Sequence, residues 1–396
     1  MSKSESKKLL ALTAAAMSLP GYAPQAQAWS DAESETGYRF THYAESDLSA
    51  TATNQRNRER YTVLSHQFHL RVPDGEARQY TGDLTVETMS GASPWFIVPA
   101  ADGKPIQVMS GATIDDSRMA LELGRTDFET LGSRSYSLGF SREEDYLSLG
   151  GGYGQSWELN DRLTVFDASL RYSRDFLKPT DGETARFPDR VKYADKGVAS
   201  VSAGVSQALS ADSTVQLSLS YGNSEGYLSD PYKKVLVGNK ILPDQRPGQR
   251  NQFSLSARLR QYWSRFAAAL HLDGVASRDD WGVATESLEA GWYQRVWNDW
   301  LLAPSVRWYQ QGEADFHRPY FSSAPDDANH SSDYRLSTFG ALSYRLGVLR
   351  DGPQWSFAFA AERYDSDPSY SLRDADLQNP GLVTFTVYSA ALSYKF

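Results

Sequence analysis

The sequence predicts an all-β chain: a transmembrane, antiparallel, up-and-down β-barrel of about sixteen strands, preceded by a cleavable signal peptide. Three observations lead there. The N-terminus has the order of an export signal. Apolar and polar residues alternate with period two along most of the chain. The connections between the alternating segments run long and short by turns.

Lys3, Lys7 and Lys8 form a basic start, residues 9–20 an apolar run, and Ala26-Gln27-Ala28 a small-residue cleavage site. A membrane helix takes roughly 20 apolar residues, so this run is too short to span and reads as a secretory signal. The expected division is a signal peptide over 1–28 and a barrel over 29–396, with no room left for a second domain. Three Lys and one Glu leave with the signal, so 37 basic residues face 48 acidic ones and the net charge falls from −9 to −11. The chain has no cysteine, which excludes disulfides, thiolate metal sites and c-type haem attachment. Aromatics make up 13% of residues, with 23 Tyr and 10 Trp, yet mean hydropathy is −0.52. Strands with one lipid face and one wet face average to that value.

Taken in order, the alternating segments are 36–46, 60–73, 78–90, 117–128, 132–143, 145–158, 162–177, 196–210, 212–224, 250–263, 265–278, 282–297, 300–312, 332–346, 353–366 and 381–396. In the second, Leu64, Phe68, Leu70 and Val72 oppose Ser65, Gln67, His69 and Arg71. In the seventh, Phe166, Ala168, Leu170 and Tyr172 oppose Asp167, Ser169, Arg171 and Ser173. Further on, Leu217 and Leu219 oppose Ser218 and Ser220, and Phe253, Leu255 and Leu259 oppose Ser254, Arg258 and Arg260. Tyr334, Leu336, Leu342 and Leu346 are read as lipid-facing, with Arg335 and Arg345 inward. The last segment puts Leu382, Tyr388, Leu392, Tyr394 and Phe396 on one stripe and ends the chain on Phe396. Period two is the signature of a half-wet strand.

The short connections carry turn chemistry: Pro73-Asp74-Gly75-Glu76, Asn160-Asp161, Ser210-Ala211-Asp212, Trp263-Ser264, Asn298-Asp299 and Arg350-Asp351-Gly352. The long ones are 47–59, 91–116, 178–195, 225–249, 313–331 and 367–380, with two short members among them. Sorting by parity puts both termini on the turn side, as periplasmic turns and extracellular loops require.

Four strings also resemble an uncharacterised exported family, domain of unknown function 3570. They are Ser90-Gly91-Ala92-Ser93-Pro94-Trp95 with Ser110-Gly111-Ala112-Thr113-Ile114 and Asp116-Ser117-Arg118; Glu225-Gly226-Tyr227-Leu228-Ser229-Asp230-Pro231-Tyr232-Lys233; Arg278-Asp279-Asp280-Trp281-Gly282 with Thr285 and Glu286; and Arg307-Trp308-Tyr309-Gln310-Gln311 with Ala314-Asp315-Phe316-His317. Trp308, His317 and Val275-Ala276-Ser277 depart from the family pattern. The resemblance implies an outer-membrane barrel and no particular activity.

Few residues suggest chemistry. His66 and His69 point to opposite faces of a strand, so they make no joint metal site. His271 and Asp273 share an inward face. The loop 313–331 holds His317, His330, Asp315, Asp326, Asp327, Ser322 and Ser323, which could support a hydrolase or a weak calcium contact but reads first as hydrated loop. Asp279-Asp280-Trp281-Gly282 reads as a tight connection with Trp281 as an interface anchor. The 225–249 loop is the expected lid or constriction, through Tyr227, Asp230, Pro231, Tyr232 and Lys233. The expected pore lining is Arg71, Arg171, Arg258, Arg260, Arg295, Arg307, Arg335 and Arg345, with Arg39 also inward. Inward acids read as fewer: Asp167, Asp273 and Glu289. Such a wall favours anionic or polar solutes.

The leading functional expectation is a porin-like diffusion channel for small polar or anionic solutes in a Gram-negative outer membrane. Alternatives are a non-conducting scaffold or sheath for a partner protein in export, uptake or electron transfer, and a barrel hydrolase. No enzyme activity, metal or cofactor is expected. The expected partners are outer-membrane lipid and lipopolysaccharide, the barrel-assembly machinery through the strand ending at Phe396, and an unidentified protein. The acidic balance excludes nucleic acid.

Overall fold

The computed structural model describes residues 33–297, 299–374 and 379–396. The expected signal peptide therefore lies outside the described residues, as does Asn298 of one expected turn.

The described residues form eighteen strands in order: β1 Glu35–Glu45, β2 Thr62–Asp74, β3 Arg78–Pro99, β4 Pro105–Glu129, β5 Gly132–Arg142, β6 Tyr146–Leu159, β7 Thr164–Leu177, β8 Ala194–Ser210, β9 Ser213–Gly226, β10 Lys234–Val237, β11 Lys240–Pro243, β12 Gln249–Trp263, β13 Ala268–Asp279, β14 Ala284–Trp297, β15 Trp300–Gln311, β16 Phe339–Asp351, β17 Trp355–Asp367 and β18 Thr384–Lys395. Sixteen of them pair antiparallel with their neighbours in one ring, and β10–β11 forms a separate hairpin. The ring closes where β1 meets β18, from Glu35 opposite Lys395 to Glu45 opposite Phe385. Closure pairs the backbone groups that an open sheet edge would leave bare in lipid.

Burial is inverted relative to a water-soluble domain. The outward faces keep Phe68, Leu123, Leu138, Leu170, Leu219, Phe253 and Phe359 between 47% and 68% exposed. Aromatic pairs ring the turn side on the same face: Trp157 opposite Phe166, Trp355 against Tyr394 at 4.6 Å between rings, and Trp263 stacked on Trp292 at 5.6 Å. An apolar band edged by Trp and Tyr matches the hydrocarbon layer and its interface. This is a transmembrane β-barrel.

The two rims differ as the sequence indicates. Both described ends of the chain and the short turns share one rim; there the Phe396 N–H donates to Ser34 O at 2.8 Å. The other rim carries the long loops.

Two expectations need correction. The segment 91–116 is not a loop: β3 and β4 run on as a paired hairpin to Pro99 and Pro105, with register shifts around Pro94. Its Gly, Ser and Pro residues hide the pairing, which the close-packed Ala92, Ile97 and Met109 maintain. The segment 332–346 is not one strand either. Asp333 accepts the Arg335 N–H and starts a short 3-10 turn over Tyr334–Leu336, and the strand begins only at Phe339. Tyr334 and Leu336 are buried at 4% exposure instead of facing lipid.

Candidate functional site: lumen and lid

Period two assigns every strand residue to lipid or lumen, and the lumen so defined has two unlike walls. From β5 to β9 the inward residues are mostly Ser and Gly, interrupted by Asp167, Arg171 and Asp175 on β7, Lys196 on β8 and Gln216 on β9. On β5 they are Ser133, Ser135, Ser137, Gly139 and Ser141; on β6, in register with them, Ser156, Gly154, Gly152, Gly150 and Ser148. Ser169 on β7 meets Ser202 on β8 through their hydroxyls at 2.7 Å. Ser218 and Ser220 on β9 face Ser256 and Ser254 on β12. Side chains of this size leave the barrel wide on that side and offer water hydroxyls throughout.

The opposite wall, from β12 round through β1 to β4, carries charges and rings. Arg260 clasps both oxygens of Asp273 at 2.7 and 2.9 Å, with Arg258 at 3.4 Å. His271 packs on the Tyr293 ring at 4.1 Å. Arg307 reaches Glu362 at 3.5 Å, Arg71 reaches Glu35 at 2.8 Å, and Arg171 leans from the small-residue wall toward Glu122 at 3.8 Å. His69 bonds Asp83 at 2.7 Å inside, while His66 meets the Tyr38 hydroxyl at 2.8 Å outside. Arg295 sits at the turn rim beside a register shift. The tally of inward acids is thus larger than the sequence suggests. Glu35, Asp83, Glu87, Glu122 and Glu362 join Asp167, Asp273 and Glu289, because each sits opposite an inward residue of a neighbouring strand. The wall as a whole is close to neutral.

Over the loop rim lies a folded lid. The 225–249 loop contains the β10–β11 hairpin, turned at Gly238 with φ +60°, a conformation that suits glycine. The lid interlocks with the loop before β16: Gly238 N donates to Phe321 O at 2.7 Å, and Gln245 and His330 exchange backbone bonds at 2.8 and 3.0 Å. Asp333 is the electrostatic centre. Arg335 Nε lies 2.9 Å from its Oδ1, Arg246 Nη2 2.8 Å from Oδ2 and Lys233 Nζ 3.8 Å from Oδ1. Arg335 also reaches Asp230 at 3.1 Å, and Arg246 reaches Asp244 at 2.7 Å. Three cations and three carboxylates out of water cost heavily one by one and hold only as a set. Arg335 therefore belongs to the lid and not to the barrel wall, because the 3-10 turn at Asp333 lifts it off β16. The surrounding cations hold the Asp333 carboxyl well below its usual range despite burial, which works the other way.

The five lid residues named from the sequence lie together here. Tyr227 N donates to Asp195 O at 2.9 Å. Asp230 caps Tyr232 N at 3.0 Å across Pro231. The Tyr232 hydroxyl donates to Asp145 on the β5–β6 connection and accepts from Thr180 N at 3.0 Å. Lys233 Nζ donates to Pro94 O at 3.4 Å. Tyr334 packs among the inward Tyr43, Val63, Met89, Phe385 and Val387. Trp281 is no interface anchor. Asp279 Oδ1 accepts the N–H groups of Trp281 and Val283, and the indole turns inward against Phe316 with 5.2 Å between rings.

The candidate hydrolase loop offers no catalytic geometry among the described residues. His317 is 2% exposed, its Nδ1 3.3 Å from Glu313 and its Nε2 3.4 Å from Asn379. His330 spends both nitrogens on the carbonyls of Ala328 and Pro243. Asp327 caps Asn329 at 3.2 Å. One carboxylate cluster escaped the sequence reading: Asp116, Glu143 and Asp145 bring an oxygen each within 4.8 Å of one another. They come from two hairpins, so no spacing announces them.

A family model described as "Protein of unknown function (DUF3570)" matches residues 9–396. No curated protein matches the chain. Among solved structures, a bacterial polysaccharide outer membrane secretin is similar at 9% identity and TM-score 0.48, covering 92% of this chain and 100% of that one. The CymD monoaromatic hydrocarbon channel is similar at 10% identity and TM-score 0.44, covering 93% and 89%. The siderophore receptor PirA from Pseudomonas aeruginosa is similar at 10% identity and TM-score 0.42, covering 86% of this chain and 57% of the receptor. The chain thus spans a little over half the length of that receptor.

Proposed function

Because the chain belongs to the DUF3570 family, whose function is unknown, we propose from its own geometry that it is an outer-membrane channel for small polar and anionic solutes, entered past a folded lid. The observation that carries this reading is the Ser- and Gly-rich lining of β5 to β9, extended by Ser254 and Ser256 on β12. A structural barrel has no need to line five neighbouring strands so largely with Ser and Gly. A pore does, because each small residue widens the path and each hydroxyl replaces part of a solute's hydration. The lid governs access. The test is conductance of the purified chain in planar bilayers, whole and with the β10–β11 hairpin (residues 234–243) excised. Ohmic current, larger without the hairpin, supports the reading; no current from either protein overturns it.

The interlocked lid favours a second reading, a non-conducting barrel that serves as scaffold or sheath for a partner. It predicts silence in both bilayer experiments and a periplasmic or surface protein that copurifies. A hydrolase is not proposed, since His317 and His330 are committed to lid contacts.

A further inference from the structure

Two inward arginines have no ion-pair partner among the described residues: Arg39 on β1 and Arg345 on β16. Each inward arginine discussed above other than these and Arg295 has a carboxylate within 4 Å. The carboxylate in register with Arg345 is Glu362 on β17. It is turned away, accepting from the Ser343 hydroxyl at 2.8 Å and facing Arg307 at 3.5 Å. Arg345 Nε is buried and makes no hydrogen bond.

Both guanidinium groups belong to the same side of the ring, with β18 and β17 between their strands. Between them the wall is low. Thr41, Ser389, Ala360 and Gly347 form one continuous row across β1, β18, β17 and β16. Arg39 stands two residues to the turn side of that row and Arg345 two residues to the loop side. The strands bearing them are three spacings apart, about 14 Å, and the four-residue offset adds about 13 Å along the strands, so the two positions lie about 19 Å apart, a gap that two extended arginine side chains reaching toward each other narrow to the width of a small solute. Glu362 and Glu289, set against Arg307, Arg345 and Arg39, still leave one cation in excess. Asp273 is already held by Arg258 and Arg260.

We propose that Arg39 and Arg345 form a seat for a small dianionic oxyanion, a dicarboxylate or a phosphate, on the floor of the lumen. Two like charges facing each other over a small-residue floor repel at rest, and an anion between them relieves that repulsion while accepting charge-assisted hydrogen bonds from both forks. The seat rests on the reading that the lumen is wet and open to solutes, and it gives that reading a substrate class.

The test is calorimetric titration of the full chain in detergent with succinate and, separately, with inorganic phosphate, at constant ionic strength set by chloride. The expected result is saturable binding of at least one probe, weakened about ten- to hundredfold in Arg39→Gln and in Arg345→Gln. Arg125→Gln, on the outer face beside Asp127, is expected to bind as the parent does. Succinate binding alone identifies the dicarboxylate source, and phosphate binding alone the phosphate source. No binding of either probe, or unchanged binding in both Gln variants, overturns the seat. The titration needs no current. A chain that conducts without binding loses the seat and keeps the channel, and one that binds without conducting loses the channel and keeps the seat.

Discussion

Asp333 and Arg335, two residues apart, close a loop on themselves: Oδ1 of Asp333 accepts both the Arg335 backbone N–H at 3.1 Å and its Nε at 2.9 Å. That local clasp fixes the turn that drops Tyr334 into the lumen and sends the rest of the guanidinium to Asp230. Asp333→Asn removes the charge and leaves Arg335, Arg246 and Lys233 buried together. Breaking a buried ionic set of this kind costs about 3–5 kcal/mol. The expected outcome is a lid that opens while the barrel stays closed. Limited proteolysis should then cut within residues 225–249 and 313–338, and far-ultraviolet circular dichroism should not change.

The pH response of the lid rim follows from Glu143, which lies in the connection between β5 and β6. Burial first, then the carboxylates of Asp145 and Asp116, push its carboxyl up to about 8, against the pull of Arg118. A raised acid keeps its proton in the folded rim between pH 4.5 and 8 while the unfolded chain has lost it. Folding therefore favours protons across that window, and stability falls as pH rises through it, by up to about 1.4 kcal/mol per unit, levelling above 8. Asp145 is the acceptor for the Tyr232 hydroxyl, so the lid shares the effect. Protease sensitivity of residues 225–249 should rise from pH 6 to pH 9 in the parent and stay flat in Glu143→Gln.

Bulk placed on the small-residue wall should narrow the path. Ser220→Trp projects an indole into the lumen from β9, and single-channel conductance is expected to fall several-fold. Leu219→Trp, one residue away and 57% exposed on the lipid face, is expected to leave conductance unchanged.

The closing strand gives a prediction about assembly. Phe396 is 60% exposed on the outer face, and its N–H ties the last residue to Ser34. Deleting Phe396 removes that bond at the β1–β18 seam, and the heat-modifiable, folded fraction is expected to fall without a change in synthesis.

The barrel was legible because lipid and water impose a strict period of two, and a register slip would turn every Leu inward. Residues such as Phe68, Leu170 and Leu219 carry that message on their own. The message fails where alternation persists without a strand. Tyr334-Arg335-Leu336 mimics a strand, but the Asx turn at Asp333 outcompetes sheet pairing. The converse failure is the 91–116 hairpin, whose Gly and Pro residues read as loop although cross-strand contacts hold it extended. The β10–β11 hairpin had its own signal in Val237-Gly238-Asn239-Lys240, a turn dipeptide between apolar pairs. Of the lining, the sequence misplaces Arg335, which reads as a wall residue and lies in the turn that Asp333 starts. Nor does the sequence tell which of the other arginines are neutralised, because Glu35, Glu122 and Glu362 come from strands near in space and distant in sequence.

In a wet barrel, β9 and its neighbours present water on one side and lipid on the other. The chain contains no cysteine, so single-cysteine variants at 217, 218, 219 and 220, reconstituted in vesicles, report each position without background. A water-soluble maleimide is expected to label Ser218→Cys and Ser220→Cys and to spare Leu217→Cys and Leu219→Cys. Equal labelling at all four positions, or labelling of the leucine positions alone, would contradict a wet lumen behind this wall.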